Sequence, residues 1–117
     1  MVSAALIAGG KASDVVLDDL VEIRVPGYNI NIGRDDGGLF AMSANCTHAH
    51  CVLVFQSDTP PPSFLCTCHG STFDYYGQNP TAPAPSPLDH YKLIIDGAGN
   101  LSVDTGTVVP ATTRTAG

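Results

Sequence analysis

The chain contains no tryptophan and few charges, and each shortage narrows what it can be. Charged residues make up 14% of 117 positions, against about a quarter in an average domain. Cations are scarcest: five Lys and Arg stand against eleven Asp and Glu, a formal net charge of −6. That balance excludes a nucleic-acid partner, whose phosphates demand clustered basic side chains. No apolar run approaches the length of a membrane-spanning helix, and no segment repeats. The two methionines, Met1 and Met42, lie near no loop that could supply the axial ligand of a His2Cys copper site. What is plentiful is glycine and proline, 12 and 9 residues spread throughout. A chain this short forms one domain, residues 1–117, around one modest core. Its punctuation predicts many short strands joined by turns, an all-β fold.

The apolar pattern supports this. Residues 15–17 read as a short strand and Asp18-Asp19 as a turn. Val21, Ile23 and Val25 alternate with Glu22 and Arg24 up to Pro26-Gly27, and residues 28–33 alternate again. Asp35-Asp36-Gly37-Gly38 is a hairpin signal, with residues 39–43 returning. Residues 52–55, 64–65 and 71–75 are short apolar or mixed segments, broken by Pro60-Pro61-Pro62. Residues 77–87 are proline-rich and irregular. Residues 91–96 and 101–104 close the chain as a hairpin across Gly97-Ala98-Gly99-Asn100. The tail, residues 109–117, lacks periodicity and is expected to be loose.

Four cysteines fit either an oxidising compartment or a metal site. Here they occur with histidines: Cys46-Thr47-His48-Ala49-His50-Cys51, then Cys66-Thr67-Cys68-His69-Gly70-Ser71-Thr72-Phe73-Asp74. Each segment places thiol and imidazole on one short loop. Zinc accepts two Cys and two His, but zinc ribbons favour Cys pairs two to four residues apart. Two plain disulfides would leave the matched histidines unexplained.

The two segments resemble the Rieske iron–sulfur proteins, in the branch whose cluster loops are tied by a disulfide. That branch includes the iron–sulfur subunits of cytochrome bc1 and b6f complexes and the small subunit of arsenite oxidase. The likeness spans residues 15–103 and is sharp in the two loops. It implies an antiparallel β-sandwich with a cluster-binding subdomain, residues 44–88, made of two ligand loops and a proline-rich cap. It implies a [2Fe–2S] cluster with Cys46 and Cys66 on one iron and His48 and His69 on the other. Cys51 and Cys68 then form the disulfide, and Ser71 donates its hydroxyl to a bridging sulfide. Phe73 stands where high-potential members carry tyrosine, so one hydroxyl donor is missing. Tyr75 and Tyr76 are read as packing residues. Ala49 and His50 replace a leucine and a glycine found in many quinol-complex members. His50 is read as an exposed loop residue and His90 as structural.

The implied role is electron transfer without a catalytic residue of the chain's own, in a head domain outside the cytoplasm. The expected partner is a cytochrome or an enzyme subunit, with quinol as the candidate reductant. Histidine ligation further implies that electron uptake is coupled to proton uptake above neutral pH. A soluble carrier for an arsenite-oxidase-like enzyme is the alternative. A dioxygenase ferredoxin is disfavoured because such ferredoxins usually lack the second cysteine pair. The opening ten residues read either as a loose end or first strand, or as the remainder of a removed anchor or signal. Gly9-Gly10 fits the hinge that follows such an anchor in the family.

Overall fold

The computed structural model describes residues 6–58 and 61–117. Among the described residues nine strands run in chain order: β1 (Leu6–Lys11), β2 (Leu20–Val25), β3 (Tyr28–Asp35), β4 (Gly38–Ser43), β5 (Val54–Gln56), β6 (Ser63–Leu65), β7 (Thr72–Asp74), β8 (His90–Ile95) and β9 (Asn100–Val109). The one helical element among the described residues is a 3-10 turn, Ala12–Asp14. Every strand pairing is antiparallel, so the expected all-β class holds. The chain forms two compact units, one of them Ala44–Asp89 and the other running up to Ser43 and resuming at His90.

The first unit is a six-stranded sheet in the order β1-β9-β8-β4-β3-β2. Alternation explains its core. Ile30 and Ile32 on β3 point to the same face as Leu39 and Ala41 on β4, Leu93 on β8, and Leu101 and Val103 on β9, all buried. Pro26-Gly27 turns β2 into β3; Gly27 has φ +84°, which glycine adopts without a Cβ penalty.

Three expectations for this unit fail, each for a visible reason. Residues 15–17 are not a strand. Val15 follows the 3-10 turn and is buried, while Val16 and Leu17 are 62% and 49% exposed. Arg34 stabilises that bend by donating to the carbonyls of Ala12 and Val15 at 2.8 and 2.7 Å. Of the readings open for the first ten residues, the first strand holds from Leu6 onward; Gly9-Gly10 lies in β1 and not in a hinge, and a Cβ at Gly9 would lie 2.8 Å from Ile32 Cδ1. The glycine is there for close packing. The tail is not loose. Thr115 exchanges two main-chain hydrogen bonds with Leu39, both 2.8 Å, and Arg114 grips Asp35 with two 2.9 Å bonds. Residues 1–5 lie outside the described residues.

The second unit is built on a three-stranded sheet, β5-β6-β7. Phe64 and Phe73 face each other across β6 and β7 and are fully buried, with the Phe55 ring 5.3 Å from Phe64. Each such ring stabilises the unit by roughly 1.5–3 kcal/mol. β5 starts two residues later than expected, because Val52 instead bridges Asn45 across the preceding loop.

Candidate metal centre

The loops before β5 and between β6 and β7 share one backbone frame. Cys46 N–H donates to the Cys51 carbonyl and His50 N–H to the Cys46 carbonyl, both 2.8 Å. Cys66 with Ser71, and Gly70 with Cys66, repeat this pattern at 2.8 Å. The fifth residue of each frame turns with positive φ, +80° at Gly70 and +60° at His50. Glycine does this freely; a histidine there holds a left-handed conformation that L-residues seldom adopt.

The frame buries its first residue and exposes its third to fifth, while Ser71 at the end of the second frame is buried. Cys46 and Cys66 are 0% exposed, free of disulfide and side by side. His48 and His69 are exposed, with ring centroids 4.7 Å apart in an edge-to-face arrangement. Burial pushes the Cys66 thiol up, but the N–H groups of His69 and Cys68 and the neighbouring Cys46 outweigh it and leave its pKa below the ordinary value. Cys51 and Cys68 are joined by a disulfide. The sulfurs of Cys51, Cys66 and Cys68 lie within 4.8 Å of one another. Two of these are bonded to each other, so the trio is the disulfide lying against Cys66 rather than a three-thiolate site.

The proline-rich stretch is ordered and bonded to both loops. Thr47 Oγ1 donates to the Ser86 carbonyl at 2.7 Å, and Ala84 N–H donates to Ser71 Oγ at 3.1 Å. Thr72 N–H donates to Thr81 Oγ1 at 2.8 Å, and Thr81 N–H to the Thr72 carbonyl at 3.0 Å. Leu88 fastens the end of the stretch: its N–H bonds the Gly77 carbonyl at 2.8 Å, and its side chain occupies the space a Cβ on Gly77 would need. Sequence reasoning missed Thr47 and Thr81; the repeated Cys-Thr at 46–47 and 66–67 was the available signal for the first. Phe73 is buried and Tyr75 packs 6.1 Å from Phe55. His50 is exposed, and His90, in the other unit, is buried and stacked on Phe40 at 5.7 Å.

Two buried soft sulfurs and two exposed imidazoles on a pair of disulfide-stapled loops suit a small redox-metal domain with an asymmetric donor set. Residues 6–92 match the Rieske [2Fe–2S] domain, and the chain belongs to that family. Its cofactor is a [2Fe–2S] cluster, which the donor set fits, and the domain is an electron carrier rather than an enzyme. The cytochrome b6-f complex iron-sulfur subunit of Synechococcus sp. (strain CC9605) is 40% identical over 63 residues, covering 54% of this chain and 34% of that protein. This chain therefore spans about a third of that relative's length. The cyanobacterial plasma membrane Rieske protein PetC3 from Synechocystis PCC 6803 superposes with a TM-score of 0.67 at 23% identity, covering 85% of this chain and 99% of that one. The ferredoxin of carbazole 1,9a-dioxygenase from Nocardioides aromaticivorans IC177 gives 0.58 at 22% identity, covering 86% and 98%. At such identities the likeness shows a shared fold alone, and the fold is common to both kinds of carrier.

Proposed function

We propose that Cys46, Cys66, His48 and His69 hold the cluster and that the domain is the iron–sulfur head of a quinol-oxidising bc-type complex. The observation that carries this reading is the Cys51–Cys68 disulfide between the two loops. A dioxygenase ferredoxin working in a reducing cytoplasm gains nothing from such a bond, whereas a head outside the cytoplasm can keep it. Among the described residues no helix is long and apolar enough to cross a membrane. A membrane complex would therefore hold this domain through other means or other segments.

When bound, the cluster takes up and releases one electron, at a potential raised by neutral histidines in place of two thiolates. The chain's residues set the terms. Buried Cys46 and Cys66 keep water from the sulfurs, and the N–H groups of His69 and Cys68 stabilise negative charge on Cys66. The exposed edges of His48 and His69 give an electron donor or acceptor its shortest approach. A ring nitrogen not used for ligation can hydrogen-bond a quinol hydroxyl there. Ala49 and His50, both exposed, stand where many quinol-complex members carry leucine and glycine and count against that partner; a carrier for an arsenite-oxidase-like enzyme is the second reading.

The test has two stages. Iron and sulfide analysis with electron paramagnetic resonance should show two irons and a rhombic signal on reduction; a zinc-loaded, colourless protein defeats the ligand set. Affinity purification from native membranes should then bring down a b-type cytochrome with quinol-oxidising activity. Recovery with a molybdenum enzyme or an oxygenase instead moves the assignment to another carrier class.

A further inference from the structure

Among the described residues β2 is the outermost strand of the six-stranded sheet and pairs on one side only, with β3. Its two-residue turn fixes which groups face outward. Val25 pairs with Tyr28, Ile23 with Ile30 and Val21 with Ile32, so these residues direct N–H and C=O toward β3. Leu20, Glu22 and Arg24 direct theirs away from the sheet. The Leu20 N–H is taken by Asp19 Oδ1 at 2.8 Å, and Pro26 has no N–H. The open ladder is therefore the main chain of Glu22 and Arg24, which makes no outward hydrogen bond among the described residues.

The side chains along this ladder read as their own complement. With Ile23 on a two-fold axis, Glu22 of one copy opposes Arg24 of a second, Arg24 opposes Glu22, and Val21 opposes Val25. Sliding by two residues sets Glu22 against Glu22 or Arg24 against Arg24, and sliding by one mismatches the outward-facing groups. Edge strands are commonly guarded by charges that repel another strand. Here the signs alternate and attract a copy in one register. Glu22 and Arg24 already lie 3.2 Å apart within the strand, so pairing would make a ladder of four alternating charges. Antiparallel pairing also brings the end carrying exposed Val16 and Leu17 (62% and 49%) beside the end of the other copy carrying Val25 and Tyr28 (37% and 36%).

We propose that β2 is a homodimer interface, in which two copies of this chain pair antiparallel about a two-fold axis at Ile23. The inference stands apart from the proposed function, since it uses no residue of the metal centre. Sedimentation velocity on the holo-protein from micromolar to millimolar concentration should show a reversible dimer. Hydrogen exchange by NMR should show the amides of Glu22 and Arg24 gaining protection as concentration rises. Arg24→Glu or Glu22→Arg should each weaken the dimer by about tenfold or more, because two attractive cross-strand pairs become repulsive. Glu22→Arg leaves the bonds from Arg24 to Asn31 and Ile30 in place, so its effect reports the cross-strand pairing without loss of those contacts. The double exchange Glu22→Arg with Arg24→Glu should restore dimerisation. A monomer throughout, a dimer indifferent to these exchanges, or a double variant no better than the singles overturns the proposal.

Discussion

Ser71 has two hydrogen-bonding capacities and uses them separately. Its oxygen accepts the Ala84 N–H at 3.1 Å in a fully buried position, which leaves the hydroxyl proton to donate elsewhere. The proline-rich stretch thereby turns the O–H rather than only covering the loop. If that proton stabilises the reduced cluster, Ser71→Ala should lower the reduction potential by on the order of 60 mV, the one-electron equivalent of a tenfold change. Protein-film voltammetry reads the shift. An unchanged potential, with the cluster assembled, shows that the hydroxyl does not reach it. Loss of an acceptor for Ala84 N–H would also lower stability, but that shows in unfolding curves and not in the midpoint of an intact cluster. Thr47 bonds the same stretch in the opposite sense, donating its hydroxyl proton to the Ser86 carbonyl and so tying the residue between Cys46 and His48 to it.

Among the elements, the C-terminal strap and the β8–β9 hairpin show how polar groups finish what the apolar pattern begins. The Arg114 guanidinium forks onto both oxygens of Asp35 and lies 4.7 Å above the Phe40 ring, with both charged side chains less than one-fifth exposed. Arg114→Ala should cost about 1–3 kcal/mol in denaturant unfolding; a change within error would mean that the main-chain bonds of Thr115 hold the strap alone. In the hairpin, the N–H of Asn100, its side-chain amide and the N–H of Ala98 all point at the Asp96 carboxylate and hold its pKa below the ordinary 3.8. A depressed folded value means the contribution is present above 3.8 and is lost as pH falls through the folded pKa. The stability gap between wild type and Asp96→Ala should therefore shrink on acidification, and a pH-independent gap would remove this account. The Cys and His positions were legible in the sequence because soft-metal chemistry tolerates few residue types at few spacings. Most strands were legible because alternation is a local signal. The strap was not, since its partners are main-chain atoms of Leu39 and a carboxylate 79 residues away. Residues 15–17 misled because an apolar triplet in a bend has the composition of a strand.

Over the whole molecule, the net charge of −6 is unevenly made. Lys11, Arg24, Arg34, Lys92 and Arg114, all five cations, lie outside Ala44–Asp89. The metal-binding unit carries Asp58, Asp74 and Asp89 and no lysine or arginine. Asp74 is satisfied internally, accepting from the N–H groups of Tyr76 and Gln78 and the amide of Asn79. A redox reagent therefore approaches an anionic protein whose metal unit offers no fixed cation to reverse the local field. Such a field acts on encounter rates over the screening length, which falls from about 30 Å at 0.01 M salt to about 10 Å at 0.1 M. Across that range, oxidation of the reduced protein by a cationic metal complex should slow several-fold, and oxidation by an anionic complex should accelerate. A neutral ferrocene derivative should show little change and serves as the control for salt effects on the cluster itself. Stopped-flow traces at the cluster's visible absorbance provide the rates. If the cationic and anionic reagents respond to salt alike, the summed charge does not govern approach, and specificity for a natural partner has to come from the shape and hydrogen bonding of the loop tips around His48 and His69.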